Sequence, residues 1–163
     1  MSTRSRRLTW LTSFRIAMAY VESAVVVYLR ALYYPEGFSF PLVLIEPPMG
    51  AIEIGREAAT LVMLLGVAAV MSTDRWEQSL FFTLSFGIWD IFYYVWLLVF
   101  LGWPPSLLTW DILFLIPVPW LGPVLAPILV SIGLILGSVL LLERQRRGQR
   151  LHFPGRLWGP GLA

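Results

Sequence analysis

The chain has 163 residues, 58% of them hydrophobic and only 13% charged, with a formal net charge of +2. A soluble domain is about a quarter charged, so this composition suits an apolar solvent and leaves no room for a second globular domain. There is no Cys, and the single His is His152 in a polar tail. That excludes disulfides, iron–sulfur clusters, thiolate zinc sites and intramembrane His ligation of haem or chlorophyll.

A helical span needs roughly 20 predominantly apolar residues, and four stretches supply them. The predicted fold is therefore an all-α, integral membrane four-helix bundle over residues 1–142, followed by a tail over residues 143–163. The first span runs near residues 16–34 and could begin as early as Leu8. Arg4, Arg6, Arg7 and Arg15 precede it, as basic residues precede the apolar run of a signal peptide. It lacks a clear small-residue cleavage site and carries Glu22 and Arg30, which reads as an uncleaved first span.

The loop from Pro35 to Gly50 contains the short apolar run Phe38 to Ile45. A second span follows near residues 51–71, then a short loop carrying Arg75, then a third span near residues 79–102. The loop from Trp103 to Trp120 holds another apolar piece, Ser106 to Ile116, and Pro117, Pro119, Pro123 and Pro127 come after it. Apolar pieces too short to span and broken by Pro read as interfacial or re-entrant segments. A fifth span there would put one basic end on the wrong side. Trp76, Trp103, Trp110 and Trp120 fall at predicted span ends, where indoles favour headgroups.

The fourth span runs near residues 121–142 and carries a GxxxG pattern, Gly133 and Gly137, that permits close approach of another helix. The tail is basic through Arg144, Arg146, Arg147 and Arg150, a pattern suited to anionic lipid headgroups. Beyond it the chain is rich in Gly and Pro. Ten Arg residues, including Arg75 and Arg156, fall on one side of an even number of spans, and neither opposite loop has any. The positive-inside rule places both termini in the cytoplasm. The expected location is the bacterial inner membrane, multi-pass. No internal repeat supports an inverted-repeat transporter.

Ionisable residues inside the spans are the informative ones, because each costs about 2.5–3.5 kcal/mol to insert at a helix centre. Glu53, Arg56 and Glu57 share one stretch of the second span, and Arg30 falls at similar depth on the first. A buried charge cluster is expected, with Arg30 meeting Glu57 or Glu53 and Arg56 pairing another. Glu22 and Asp90 have no evident basic partner at their depth. With Glu57 they form a stepped series across the bilayer that suits an ion or ligand path, with Tyr93 beside it. The structural alternative is a salt-bridge network that fixes helix register.

The aromatic run Trp89 to Trp96 suits bundle packing first. It also suits a groove for a bound lipid, quinone or carotenoid, or for a partner helix. Asp111 is placed to cap a short helix or to stand above Asp90. No metal-ligand spacing, Ser/His/Asp set or Gly-rich phosphate loop is present, so no metal and no catalytic residues are assigned. Nucleic acid is not an expected partner.

The leading functional expectation is a non-catalytic accessory or scaffolding subunit of a larger membrane complex, photosynthetic or respiratory, with lipids and other membrane subunits as partners. The alternatives are a small proton- or cation-conducting transporter or channel, and a membrane enzyme or binder acting on a lipid or quinone.

Overall fold

The computed structural model describes residues 3–38, 41–43 and 45–148. It is mostly helical, with α1 at Thr3–Tyr33, α2 at Pro47–Met71, α3 at Arg75–Leu101 and α4 at Leu125–Arg146. All four helices are long and apolar enough to cross a membrane. Pro47 and Pro48 open α2, where a missing N–H costs nothing. At the start of α3 the Asp74 side chain accepts a hydrogen bond from the Glu77 N–H at 2.9 Å, satisfying one of the orphan donors. The helix ends at Gly102, whose φ of 62° is left-handed and whose N–H returns to the Leu98 carbonyl.

Side-chain contacts fix the helix directions. Leu11 on α1, Ala68 on α2 and Phe81 on α3 form one buried cluster, and Leu142 on α4 packs against it. This is the terminal end. A second cluster of Met18, Ala19, Leu64 and Trp89 lies above it. A third, of Tyr94, Leu97 and Val124, marks the opposite, hairpin end. Neighbours in sequence therefore run antiparallel, and α1 runs parallel to α3. The bundle is organised around α3, which packs against α1, α2 and α4.

An all-α fold is not what the second loop adopts. Trp110–Phe114 (β1) and Trp120–Pro123 (β2) pair as an antiparallel hairpin, with Trp110 opposite Pro123 and Phe114 opposite Trp120. Pro117, Pro119 and Pro123 cannot donate helical hydrogen bonds, while Trp, Ile and Phe suit a pleated strand. The fourth helix consequently starts at Leu125 rather than near residue 121.

The hairpin dives into the bundle. Asp111 near its mouth meets Arg30 and Tyr94, whereas the Phe114 ring lies 6.3 Å from that of Phe86. Phe86 is eight residues back along α3 from Tyr94, a descent of about 12 Å at 1.5 Å per residue. Three residues of strand cover about 10 Å, so β1 runs inward alongside α3. Trp120, opposite Phe114 at the inner end of the hairpin, is 58% exposed and lies five residues before the start of α4 rather than at a helix end.

Gly87 is where α4 comes closest to α3. A Cβ there would lie 2.8 Å from the Ser131 carbonyl oxygen and 2.9 Å from Cγ1 of Ile135. Among the described residues Gly133 and Gly137, the GxxxG pair, meet no other part of the chain, since a Cβ on either would have nothing within 4 Å. They sit on an outward face among exposed Leu129, Ile132, Leu136 and Leu140. The other helices also carry large apolar side chains outward, up to Val70 at 88% exposure.

Candidate functional site

Glu22 lies eleven residues before the end of α1, Glu57 ten residues after the start of α2, and Asp90 eleven residues before the end of α3. At 1.5 Å per residue each is about 15–17 Å from the hairpin end. The three carboxylates therefore form one layer at mid-depth, not a stepped series across the bundle. Equal distance from the helix ends decides this, whereas span limits drawn from hydropathy blur it.

Arg56 is the hub of the α1–α2 part of the layer. Its guanidinium pairs with Glu22, and it meets Glu53 one turn earlier on its own helix at 2.9 Å. Thr60 Oγ1 donates to Glu22 Oε1 at 2.6 Å, so both oxygens of Glu22 have partners. Glu22 thus has a basic partner at its own depth, contrary to expectation. The helices are antiparallel, and this places residue 22 level with residues 56 and 60.

Glu57 takes a different role. Its carboxylate oxygens accept the Leu115 N–H at 2.9 and 3.0 Å, at the far end of the hairpin. Arg30 does not join Glu53 or Glu57. It pairs with Asp111 at 3.3 Å, and its guanidinium lies 3.8 Å from the Trp103 ring centroid and 4.5 Å from that of Phe38. Asp111 is 3% exposed and also accepts from the Tyr94 hydroxyl at 3.4 Å. Burial raises its pKa to about 6; the Arg30 charge, the Ile112 N–H and the Tyr94 hydroxyl oppose that shift.

Asp90, buried at 8% exposure, accepts from Ser131 Oγ at 2.7 Å, which ties α3 to α4. Tyr93 lies within electrostatic reach of Asp90, Asp111, Arg30 and Arg56, and so stands between the separate ion pairs. Ser23 Oγ donates to the Tyr93 carbonyl at 3.0 Å and fixes α1 there. The Trp89 indole, tilted against the Tyr93 ring with centroids 6.2 Å apart, has a buried N–H with no acceptor among the described residues. Among the described residues, no three carboxylates converge as ligands of one ion.

By its place in the sequence Arg15 belongs with the solvent-side Arg residues. The structure buries it at 1% exposure, where Nε donates to Ser85 Oγ at 2.9 Å and Nη2 has no partner among the described residues. Seven residues separate it from Glu22, or about 10 Å toward the terminal end. At that end Arg144, Arg146 and Arg147 are exposed; Glu143 pairs with Arg146 at 3.1 Å and with Arg147 at 3.4 Å. Arg150 and the Gly/Pro-rich tail lie outside the described residues.

Thr60, Ser131, Ser85 and Asp111 were the members of this network not singled out as partners. Small hydroxyls in otherwise apolar spans were the available signal, because a hydroxyl in hydrocarbon needs an acceptor. Comparison with known proteins gives no matching family model, no similar characterised protein and no similar solved structure.

Proposed function

We propose that this chain is a multi-pass integral membrane protein of the bacterial inner membrane, with both termini cytoplasmic. Its working part is the mid-depth layer of Glu22, Glu53, Arg56, Asp90 and Tyr93, which binds or acts on a lipid-soluble molecule such as a quinone. The observation that carries this reading is the charge balance. Five buried carboxyl groups, Glu22, Glu53, Glu57, Asp90 and Asp111, stand against three interior guanidinium groups, Arg15, Arg30 and Arg56, and only Arg30 and Arg56 pair with a carboxylate. Excess negative charge in an apolar interior is relieved by held protons or by a bound cationic group. A proton held beside Tyr93 and the unpartnered Trp89 N–H suits a polar head that needs both a donor and an acceptor.

Conduction across the membrane is the weaker alternative. Between this layer and the terminal end lie two apolar clusters and the buried Arg15 cation. An uncompensated cation in a narrow apolar layer repels cations and protons.

The test is native mass spectrometry of protein extracted gently from its own membrane, with the released lipids identified. A stoichiometric lipid-like ligand, lost in Asp90→Asn and Glu22→Gln, is expected. Proton or cation flux in reconstituted vesicles that Asp90→Asn abolishes would replace this reading with a transporter.

A second reading, an accessory subunit, is favoured by the outward face around Gly133 and Gly137, which none of the described residues covers. Recovery with other polypeptides, lost on Gly133→Leu, supports it; a stable monomer removes it.

A further inference from the structure

We infer that the seam between α1 and α2 at the terminal end is a binding site for one anionic phospholipid. It is separate from the mid-depth layer and rests only on the membrane placement proposed above. An open groove of about 900 Å³ runs there, with Arg6, Arg7, Trp10 and Phe14 on one wall and Val67 and Val70 on the other.

The wall on α1 is graded in the way an amphipathic ligand is. Arg6 and Arg7 lie four and three residues from Trp10, and Phe14 lies four further on, so all four share one face. The descent from Arg7 to Phe14 is about 10 Å, the span from a phosphate into the acyl region. Both Arg side chains are exposed, and neither forms an ion pair among the described residues. Val70 is 88% exposed and Trp10 71% exposed, so the groove is apolar surface awaiting cover. A basic rim over an apolar floor between two spans is the chemistry that holds acidic phospholipid headgroups. A partner helix would fill the apolar floor but leave two guanidinium groups facing it unpaired.

Alkaline carbonate extraction first establishes that the protein stays in the membrane; release would remove the membrane placement itself and the lipid site with it. The retained protein is then exchanged into nanodiscs of equal parts phosphatidylcholine and phosphatidylglycerol, and bound lipid is counted by native mass spectrometry. One retained phosphatidylglycerol per chain is expected. Arg6→Gln with Arg7→Gln should weaken it about thirtyfold, roughly a factor of five for each basic residue. Arg144→Gln with Arg146→Gln should leave it unchanged.

Phosphatidylglycerol carrying brominated chains should quench the wild type more than Trp10→Phe, which locates the lipid at the groove. Equal retention of phosphatidylcholine, or no loss in the Arg6/Arg7 variant, overturns the inference.

Discussion

Glu57 on α2 holds the backbone N–H of Leu115, at the far end of a hairpin that enters the bundle, with its carboxylate oxygens at 2.9 and 3.0 Å. Inside an apolar layer a backbone donor has no water to turn to, and an irregular segment is tolerated there only when protein groups satisfy it. Glu57→Leu should therefore cost about 1–3 kcal/mol for the orphaned N–H. Glu57→Gln keeps a carbonyl acceptor and should recover most of that. Thermal unfolding in detergent would show it: equal losses in the two variants would mean that this contact does not hold the hairpin.

Arg56 serves two carboxylates, so its removal is the most damaging single change in the mid-depth layer. Arg56→Ala leaves Glu22 and Glu53 facing each other without a cation, at a cost of about 3–5 kcal/mol. Adding Glu22→Gln should return part of it. A double-mutant cycle measures the coupling, and strict additivity of the two changes would break the assignment.

Arg30 couples to Asp111 rather than to Glu57. The cycle Arg30→Gln with Asp111→Asn should show an interaction energy above about 0.5 kcal/mol, while Arg30→Gln with Glu57→Gln should be close to additive. Unfolding midpoints of the wild type and the five variants decide between the two partners.

The Asp111 carboxyl gives a pH signature. Its folded-state pKa, about 6, lies above the ordinary value of 3.8, so the folded protein binds this proton more tightly than the unfolded chain does. Its contribution to stability is full below about pH 4 and falls as pH rises to about 6, by at most about 3 kcal/mol. Melting temperatures of wild type and Asp111→Asn, measured from pH 4 to 7, should converge or cross in that sense. A wild type that gains on the variant as pH rises through this window would contradict it.

Gly87 and the GxxxG pair should separate cleanly on substitution. Gly87→Ala forces Cβ to 2.8 Å from backbone at Ser131, and such overpacking costs about 1–3 kcal/mol. Gly133→Ala and Gly137→Ala meet open space and should leave monomer stability within about 0.5 kcal/mol. Guanidinium-free thermal denaturation in mild detergent is sufficient to rank them.

Hydropathy made the four helices legible, because a run of about 20 apolar residues admits few other structures. The Arg56–Glu53 contact was legible for a similar reason, being a matter of i and i+3 on one helix. The hairpin was not. Its strands are short and its apolar run broken by Pro, so it reads equally as an interfacial piece. Everything that depends on the hairpin was hidden with it, including the Asp111 partner of Arg30 and the Leu115 partner of Glu57. The single layer of Glu22, Glu57 and Asp90 was recoverable only by counting from true helix ends. Arg15 was misplaced because a charge near a basic N-terminus looks solvated until Ser85 is brought beside it.

The mid-depth layer is divided between the two halves of the polypeptide. Glu22, Glu53, Arg56 and Thr60 arrive with α1 and α2, while Asp90, Tyr93, the hairpin and Ser131 arrive with α3 and α4. Each half carries its own internal polar pairing, Glu22 with Arg56 in one and Asp90 with Ser131 in the other. A chain cut in the short turn around Ser72 would sever neither pairing. Two separately synthesised fragments would then regenerate the layer by docking, and neither fragment alone would contain it.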